Sequence, residues 1–155
     1  MIKKILMGFI ILFIGIQFVP VDRSNPTGLE DPYVFSDRAI QKIVEKACFD
    51  CHSNETKWPW YSYIAPVSWS IEEHVRHGRK EVNFSIFEKY SLKRKIKKFD
   101  EIVDEIEEDE MPLSDYLILH SEAELSVTER EKLLTWARAE KERYILEKDS
   151  LGKVK

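Results

Sequence analysis

The stretch 47-ACFDCHSNETKWPWY-61 decides how this chain is read. It holds both cysteines, Cys48 and Cys51, one of four histidines, His52, and two of four tryptophans, Trp58 and Trp60. On a helical turn Cys48 and Cys51 share a face, and His52, four residues after Cys48, projects from that same face. Three reactive side chains therefore converge from one turn. Apolar residues lead into it at three- and four-residue steps, Ala39, Ile40, Ile43, Val44 and Ala47, behind Ser36 as an N-cap. A helix is expected to run into the motif.

The chemistry follows from what the three side chains can do together. Two thiols three apart followed by histidine form the CxxCH pattern, in which the thiols make thioethers to haem and the histidine ligates iron. Zinc needs four ligands in a tetrahedron, and with no further cysteine it would have to recruit distant groups. A redox CxxC ordinarily follows a strand, whereas a helix precedes this one. A disulfide across two residues closes too small a loop to stabilise much. These three stand as alternatives to one covalently bound haem c per chain.

Working outward, the periodicity is helical everywhere and no alternating strand stands out. "PVSWSIEEHVRHG" predicts a helix from Pro66 to Gly78, with a stripe of Val67, Ile71 and Val75. Leu92, Ile96, Phe99, Val103 and Ile106 mark another helix, stopped before "EMP". A last one starts at "SVTE", where Ser126 and Glu129 have capping-box spacing, and runs through Leu133, Leu134, Ala137, Tyr144 and Ile145. The fold class is all-α: a small cytochrome c-like helical domain around haem, behind an N-terminal membrane helix.

That N-terminal element is "MIKKILMGFIILFIGIQFVP", apolar over residues 5–19 after Lys3 and Lys4. It reads as a signal or membrane anchor, either cleaved or retained. Retention is favoured, because no small-x-small cleavage site follows. The run is short against the ~20 apolar residues of an ordinary span, which local thinning or snorkelling lysines would accommodate. Lys3 and Lys4 then stay cytoplasmic, and the domain lies on the periplasmic or extracytoplasmic side of the cytoplasmic membrane. The organisation read here is an anchor over 1–20, a Pro- and Gly-containing linker over 21–32, the haem-binding domain over 33–147 and a tail over 148–155.

The 155 residues include 24 basic and 28 acidic ones, and setting aside Lys3 and Lys4 leaves 22 against 28, a formal −6. Such a balance excludes ordinary nucleic-acid binding, which neutralises phosphates. Residues 91–111, "SLKRKIKKFDEIVDEIEEDEM", are basic first and acidic last, against the helix dipole. The acidic half is either a solvated face or a docking surface for a basic redox partner.

Iron held by His52 has a second axial position. Met1 initiates and Met7 sits in the apolar run, so Met111 is the one methionine of the domain; Pro112 disfavours a helical Met111 and suits it to a loop over the haem. Met111 is thus the expected distal ligand. His74, on the stripe of the Pro66 helix, is its rival, ahead of His77 and His120. Trp58, Trp60, Tyr61, Tyr63 and Trp69 are expected to wall the haem, since rings pack on a porphyrin plate.

"CFDCHSNETKWPWYSYIAPVSW", "GRKEVNFSIFEKY" and "EDEMPLSDYLILHSEAELS" resemble the bacterial family of haem-binding domain proteins, small c-type cytochrome-like domains behind an anchor. The likeness spans about residues 33–136 and rests on the cysteine motif and the WPWYS, NFS and MPL stretches. It implies haem binding and matches Met111 to the family's MPL methionine. The expected function is single-electron transfer outside the cytoplasm, not enzymatic turnover. Expected partners are extracytoplasmic redox proteins or a membrane respiratory complex, with the membrane itself and no nucleic acid. An open sixth site serving as gas or peroxide sensor, or as a peroxidase, is the alternative.

Overall fold

The computed structural model describes residues 1–28 and 30–152, and among these the secondary structure is helical, with no strand. α1 (Ile2–Ile16) stands apart: it buries no residue. α2 (Arg38–Ala47) passes directly into α3 (Phe49–His52). α4 (Val67–Glu81), α5 (Leu92–Glu107), the short α6 (Ser114–Leu117) and α7 (Val127–Gly152) follow, joined by 3-10 turns at Trp60–Tyr63, Phe84–Lys89 and Ser121–Ala123. α7 continues through position 147 to Gly152, so the segment read as a tail begins inside a helix; 153–155 lie outside the described residues.

Most helix ends obey the local code. Ser126 and Glu129 form the capping box, Ser126 N donating to Glu129 Oε2 (2.9 Å) and Glu129 N to Ser126 Oγ (3.3 Å). Ser91 caps α5 through Arg94 N. α2 is capped one residue later than expected: Asp37 Oδ1 accepts from Ala39 N at 2.7 Å, and Ser36 takes no part in the cap. α5 closes with Asp109 in the left-handed region (φ 61°) and Glu110 N donating back to Glu105 O at 3.0 Å, a Schellman-type stop. Met111 N also donates to Glu105 O, at 3.2 Å.

Gly78 departs from the sequence reading. It does not end α4, which runs on to Glu81. A Cβ there would meet Cys51 O at 2.7 Å and Cys51 Cβ at 3.0 Å, so glycine is what lets α4 lie directly on the motif turn. The stripe on α4 is also incomplete, for Val75 is buried while Val67 is exposed.

α5 packs along α7, and their shared core is aromatic. Phe87 and Phe99 are fully buried, Tyr144 is 2 % exposed, and Tyr33 meets Phe87, Phe99 and Trp136 edge to face. Charges on α5 are spent internally. Lys95 and Lys98 are buried, the first paired with Glu88, the second with Glu81 (2.9 Å) and Glu101 (2.7 Å). In the acidic half, Asp100, Glu107 and Asp109 pair with Lys141, Arg138 and Arg130 of α7. Three of the eight acidic residues of that half are thus drawn to α7 as solvent-exposed pairs.

The segment read as a linker is fastened down. Arg79 donates to Ser24 O (3.0 Å), Asn25 Oδ1 (2.7 Å), Ser53 O (2.8 Å) and Thr56 Oγ1 (2.8 Å). Asn25 Nδ2 donates to Thr56 O, and Asp31 N and Tyr33 N reach the carbonyls of Ser85 and Phe84. Those ties make it a strap across the domain, unlike a free tether. No helix among the described residues is long and apolar enough to cross a membrane.

Candidate functional site

The motif turn is built by its neighbours. Cys48 N donates to Val44 O and His52 N to Cys48 O, so although Cys48 itself leaves helical dihedrals (φ −124°, ψ −33°) between α2 and α3, the hydrogen bonds carry across it and the three motif side chains line one cavity. Beyond His52, Asn54 is anchored in a buried polar knot: Asn83 Nδ2 donates to Asn54 Oδ1 (2.8 Å), Asn54 N to Ser85 Oγ (2.9 Å), and Asn83 N to Tyr90 OH (3.0 Å). The NFS stretch therefore works as a clasp on the end of the motif.

His52 is held by α4. Its Nδ1 lies 3.0 Å from Gly78 O and 3.1 Å from Val82 O. Both partners are carbonyls and only accept, so Nδ1 carries the proton and the lone pair sits on Nε2. Desolvation by burial holds the imidazole below its ordinary pKa, more than offsetting the two carbonyls, and it stays neutral. A neutral, oriented imidazole with Nε2 free is a metal ligand's form.

Cys48, Cys51, His52 and Met111 all line one cavity of about 610 Å³. Its walls come from α2 (Val44, Ala47), α5 (Ile102, Ile106), α7 (Leu133, Trp136) and the segment 111–116. This volume falls within the ~300–1,000 Å³ usual for ligand and cofactor sites. Both cysteines are half-buried residues at the wall; desolvation pushes the Cys48 thiol up to about 12 and the Cys51 thiol to about 11, so they are neutral thiols at ordinary pH. The donor set, the apolar walls and the presented Nε2 fit a haem.

His74 and His77 line the same cavity, 4.0 Å from Asp115 and from Glu81 respectively. Glu105 also faces it, its carboxyl raised by desolvation and by Glu110, Glu108 and Glu101 nearby. The expected aromatic wall lies elsewhere. Trp58, Trp60, Tyr63 and Trp69 do not line the cavity, and Trp60 is 74 % exposed; Tyr61 lines a smaller neighbouring pocket. The rings that do line the cavity are Phe84, Tyr116 and Trp136. Trp58 Nε1 is buried without a hydrogen-bond partner, and nothing in the structure explains it.

A second group of contacts, a latch around Tyr116 and His120, escaped sequence reasoning. Tyr116 OH donates to Asp50 Oδ2 (2.8 Å), and its ring stacks on His120 at 4.3 Å between centroids. His120 Nδ1 faces Glu122 Oε1 at 3.1 Å, and Nε2 is bonded to Tyr61 OH. Since the Glu122 carboxylate only accepts, His120 donates from Nδ1. The latch fastens the segment carrying Met111 to the middle of the CFDCH turn and to the WPWYS stretch. Desolvation, with Asp50 next, raises the Tyr116 phenol, so it remains a donor. A signal existed: two of the three stretches that carried the family resemblance, the one holding CFDCH and WPWYS and the one holding MPL, meet here.

A family model described as a haem-binding domain matches residues 11–139. No curated protein and no solved structure matches the chain.

Proposed function

Because the chain belongs to the haem-binding domain family, we propose that it is a monohaem c-type cytochrome. In this reading Cys48 and Cys51 hold haem c by two thioethers, His52 and Met111 ligate the iron, and single electrons pass to extracytoplasmic redox proteins or a membrane respiratory complex. The observation that carries it is His52 Nδ1 bonded to two carbonyls, with both thiols and Met111 on the walls of the cavity that His52 also lines. When bound, haem iron supplies a one-electron couple whose potential depends on axial ligands and burial.

The chain's own residues do the positioning. Gly78 and Val82 orient the imidazole, and the Tyr116–Asp50 bond holds the segment that presents Met111. Val44, Ile106 and Leu133 exclude water, which disfavours the more highly charged oxidised state. His74 at the same wall is the rival ligand. His74 and Glu73 there also favour a second reading, an open sixth site with acid–base groups for gas or peroxide chemistry.

We read α1 as a retained membrane anchor, with the domain on the extracytoplasmic side. Its apolar surface on all sides and Lys3 and Lys4 at its start support this. Fifteen residues rise ~22 Å against a ~30 Å hydrocarbon core, so the bilayer would thin around it or the lysines snorkel.

The test is expression with a c-type maturation system, extraction with acidified organic solvent, and spectra of oxidised and reduced protein with and without carbon monoxide. Haem should stay with the polypeptide and wild type should resist carbon monoxide. Met111→Ala should lose the sulfur-to-ferric-iron band and bind carbon monoxide, while His74→Ala changes neither. Extractable haem defeats covalent attachment; ready carbon monoxide binding by wild type, unaltered in Met111→Ala, establishes the open site.

A further inference from the structure

Five residues at one end of the domain expose large apolar surface: Trp60 at 74 %, Tyr63 at 59 %, Val67 at 45 % and Ile64 at 39 %, with Phe18 at 82 % just past α1. Trp60 and Tyr63 open and close a 3-10 turn, where positions three apart point the same way. Ile64 follows at once, and Val67 begins α4 two residues past Ala65.

What places this patch is Gln17, the first residue beyond α1. Its side-chain amide bonds Ala65 in both directions, Nε2 donating to Ala65 O (3.1 Å) and Oε1 accepting from Ala65 N (2.9 Å), while Nε2 also caps Phe13 O (2.9 Å). Arg23 extends the tie, its guanidinium 4.4 Å over the Tyr63 ring and donating to Ser62 O (3.1 Å). The next two residues, Ser24 and Asn25, are held by Arg79. The patch cannot swing away from the end of α1.

We propose that Trp60, Tyr63, Ile64 and Val67 form a second membrane contact, lying in the headgroup region of a phospholipid bilayer beside the end of α1 and fixing the domain's orientation on the membrane. This rests on α1 as the anchor. The occupant is lipid, because the patch is continuous with a helix that is apolar on every side. Its chemistry agrees: tryptophan and tyrosine concentrate at membrane interfaces, where one end of the ring is apolar and the other wet. Arg23 beside them offers a cation to lipid phosphates. α1 is shorter than a bilayer core, which draws the surface toward its end and toward this patch.

The experiment uses the full haem-loaded chain in phosphatidylcholine vesicles containing a diazirine-bearing phosphatidylcholine, with flotation followed by peptide mapping of photo-adducts. The expected result is co-flotation with adducts on α1 and on residues 58–67. In Trp60→Ser/Tyr63→Ser/Ile64→Ser the adducts on that segment should fall to background while those on α1 and the haem spectrum persist. Co-flotation with adducts on α1 alone overturns the patch and leaves the anchor standing. Failure to float overturns both. Cross-links between two copies at residues 58–67, with no lipid adduct there, assign the face to a second copy and overturn the proposal; because the wild-type map decides, misfolding of the variant does not rescue it.

Discussion

The two aromatic groups of this chain are used in opposite ways. Tyr33, Phe84, Phe87, Phe99, Trp136 and Tyr144 are spread over the sequence yet converge between α5 and α7, whereas the dense cluster of residues 58–69 stays largely at the surface. The first group is placed by burial, with ring contacts such as Phe99 on Tyr144 (5.9 Å) and Phe99 on Trp136 (5.2 Å). Around the second, positions are set by directional bonds: Tyr61 to His120, Ser62 Oγ to Pro59 O, Gln17 to Ala65. The protein thus carries its own core on one side and reserves the cofactor cavity beside it, so the haem is an addition to the core rather than its substitute.

Cutting each group at one ring tests that division most severely. Phe99→Ala should cost ~3–5 kcal/mol, as deletion of a buried ring does, and Trp60→Ala within ~0.5 kcal/mol, as for an exposed position. Denaturant midpoints followed by circular dichroism measure both. Equal losses would erase the distinction.

On the polar side, Tyr116→Phe removes the bond to Asp50. A hydrogen bond to a charged group is worth ~1.5–3 kcal/mol, and the loss should appear as a lower midpoint and, under the proposed ligation by Met111, as faster carbon monoxide binding, because the segment carrying Met111 is freed. Unchanged carbon monoxide kinetics would mean that Met111 is held without the latch. Gly78→Ala forces a methyl toward Cys51 O and should cost ~1–3 kcal/mol while lowering haem incorporation, since the same backbone step positions His52. A stability loss with full haem loading would separate packing from ligand orientation.

The smallest effect is at the joint between the two sides, where Lys46 of α2 lies 2.8 Å from Glu129 of α7. The Lys46 ammonium, and then Ser126 N–H, lower the Glu129 carboxyl from 4.5 to about 2. A depressed folded-state pKa gives stabilisation that is full above the unfolded value of 4.5 and lost as pH falls toward 2. Glu129→Gln should flatten the acid limb of the stability curve across that interval, modestly because the pair is partly solvated. An unchanged limb would show the joint to be carried by packing alone.

What the sequence by itself determined was local. The shared face of Cys48, Cys51 and His52, the capping box at Ser126 and Glu129, and the succession of helices follow from rules that act within one or two turns, where neighbours in sequence are neighbours in space. The family match over 11–139 agrees with the haem-binding character read from that motif. Tertiary structure decided everything that needed a distant partner. Trp136 reaches Tyr33 across 103 positions, Tyr116 reaches Asp50 across 66, and Arg79 takes Ser24 across 55. None of these pairs leaves a periodic trace. Gly78 reads as a helix stop in one dimension and as an interhelical contact in three, and Asp100, Glu107 and Asp109 read as open charge until α7 supplies their cations. The physical reason is that hydrophobic periodicity says which face of a helix is buried, while only packing says what lies against that face.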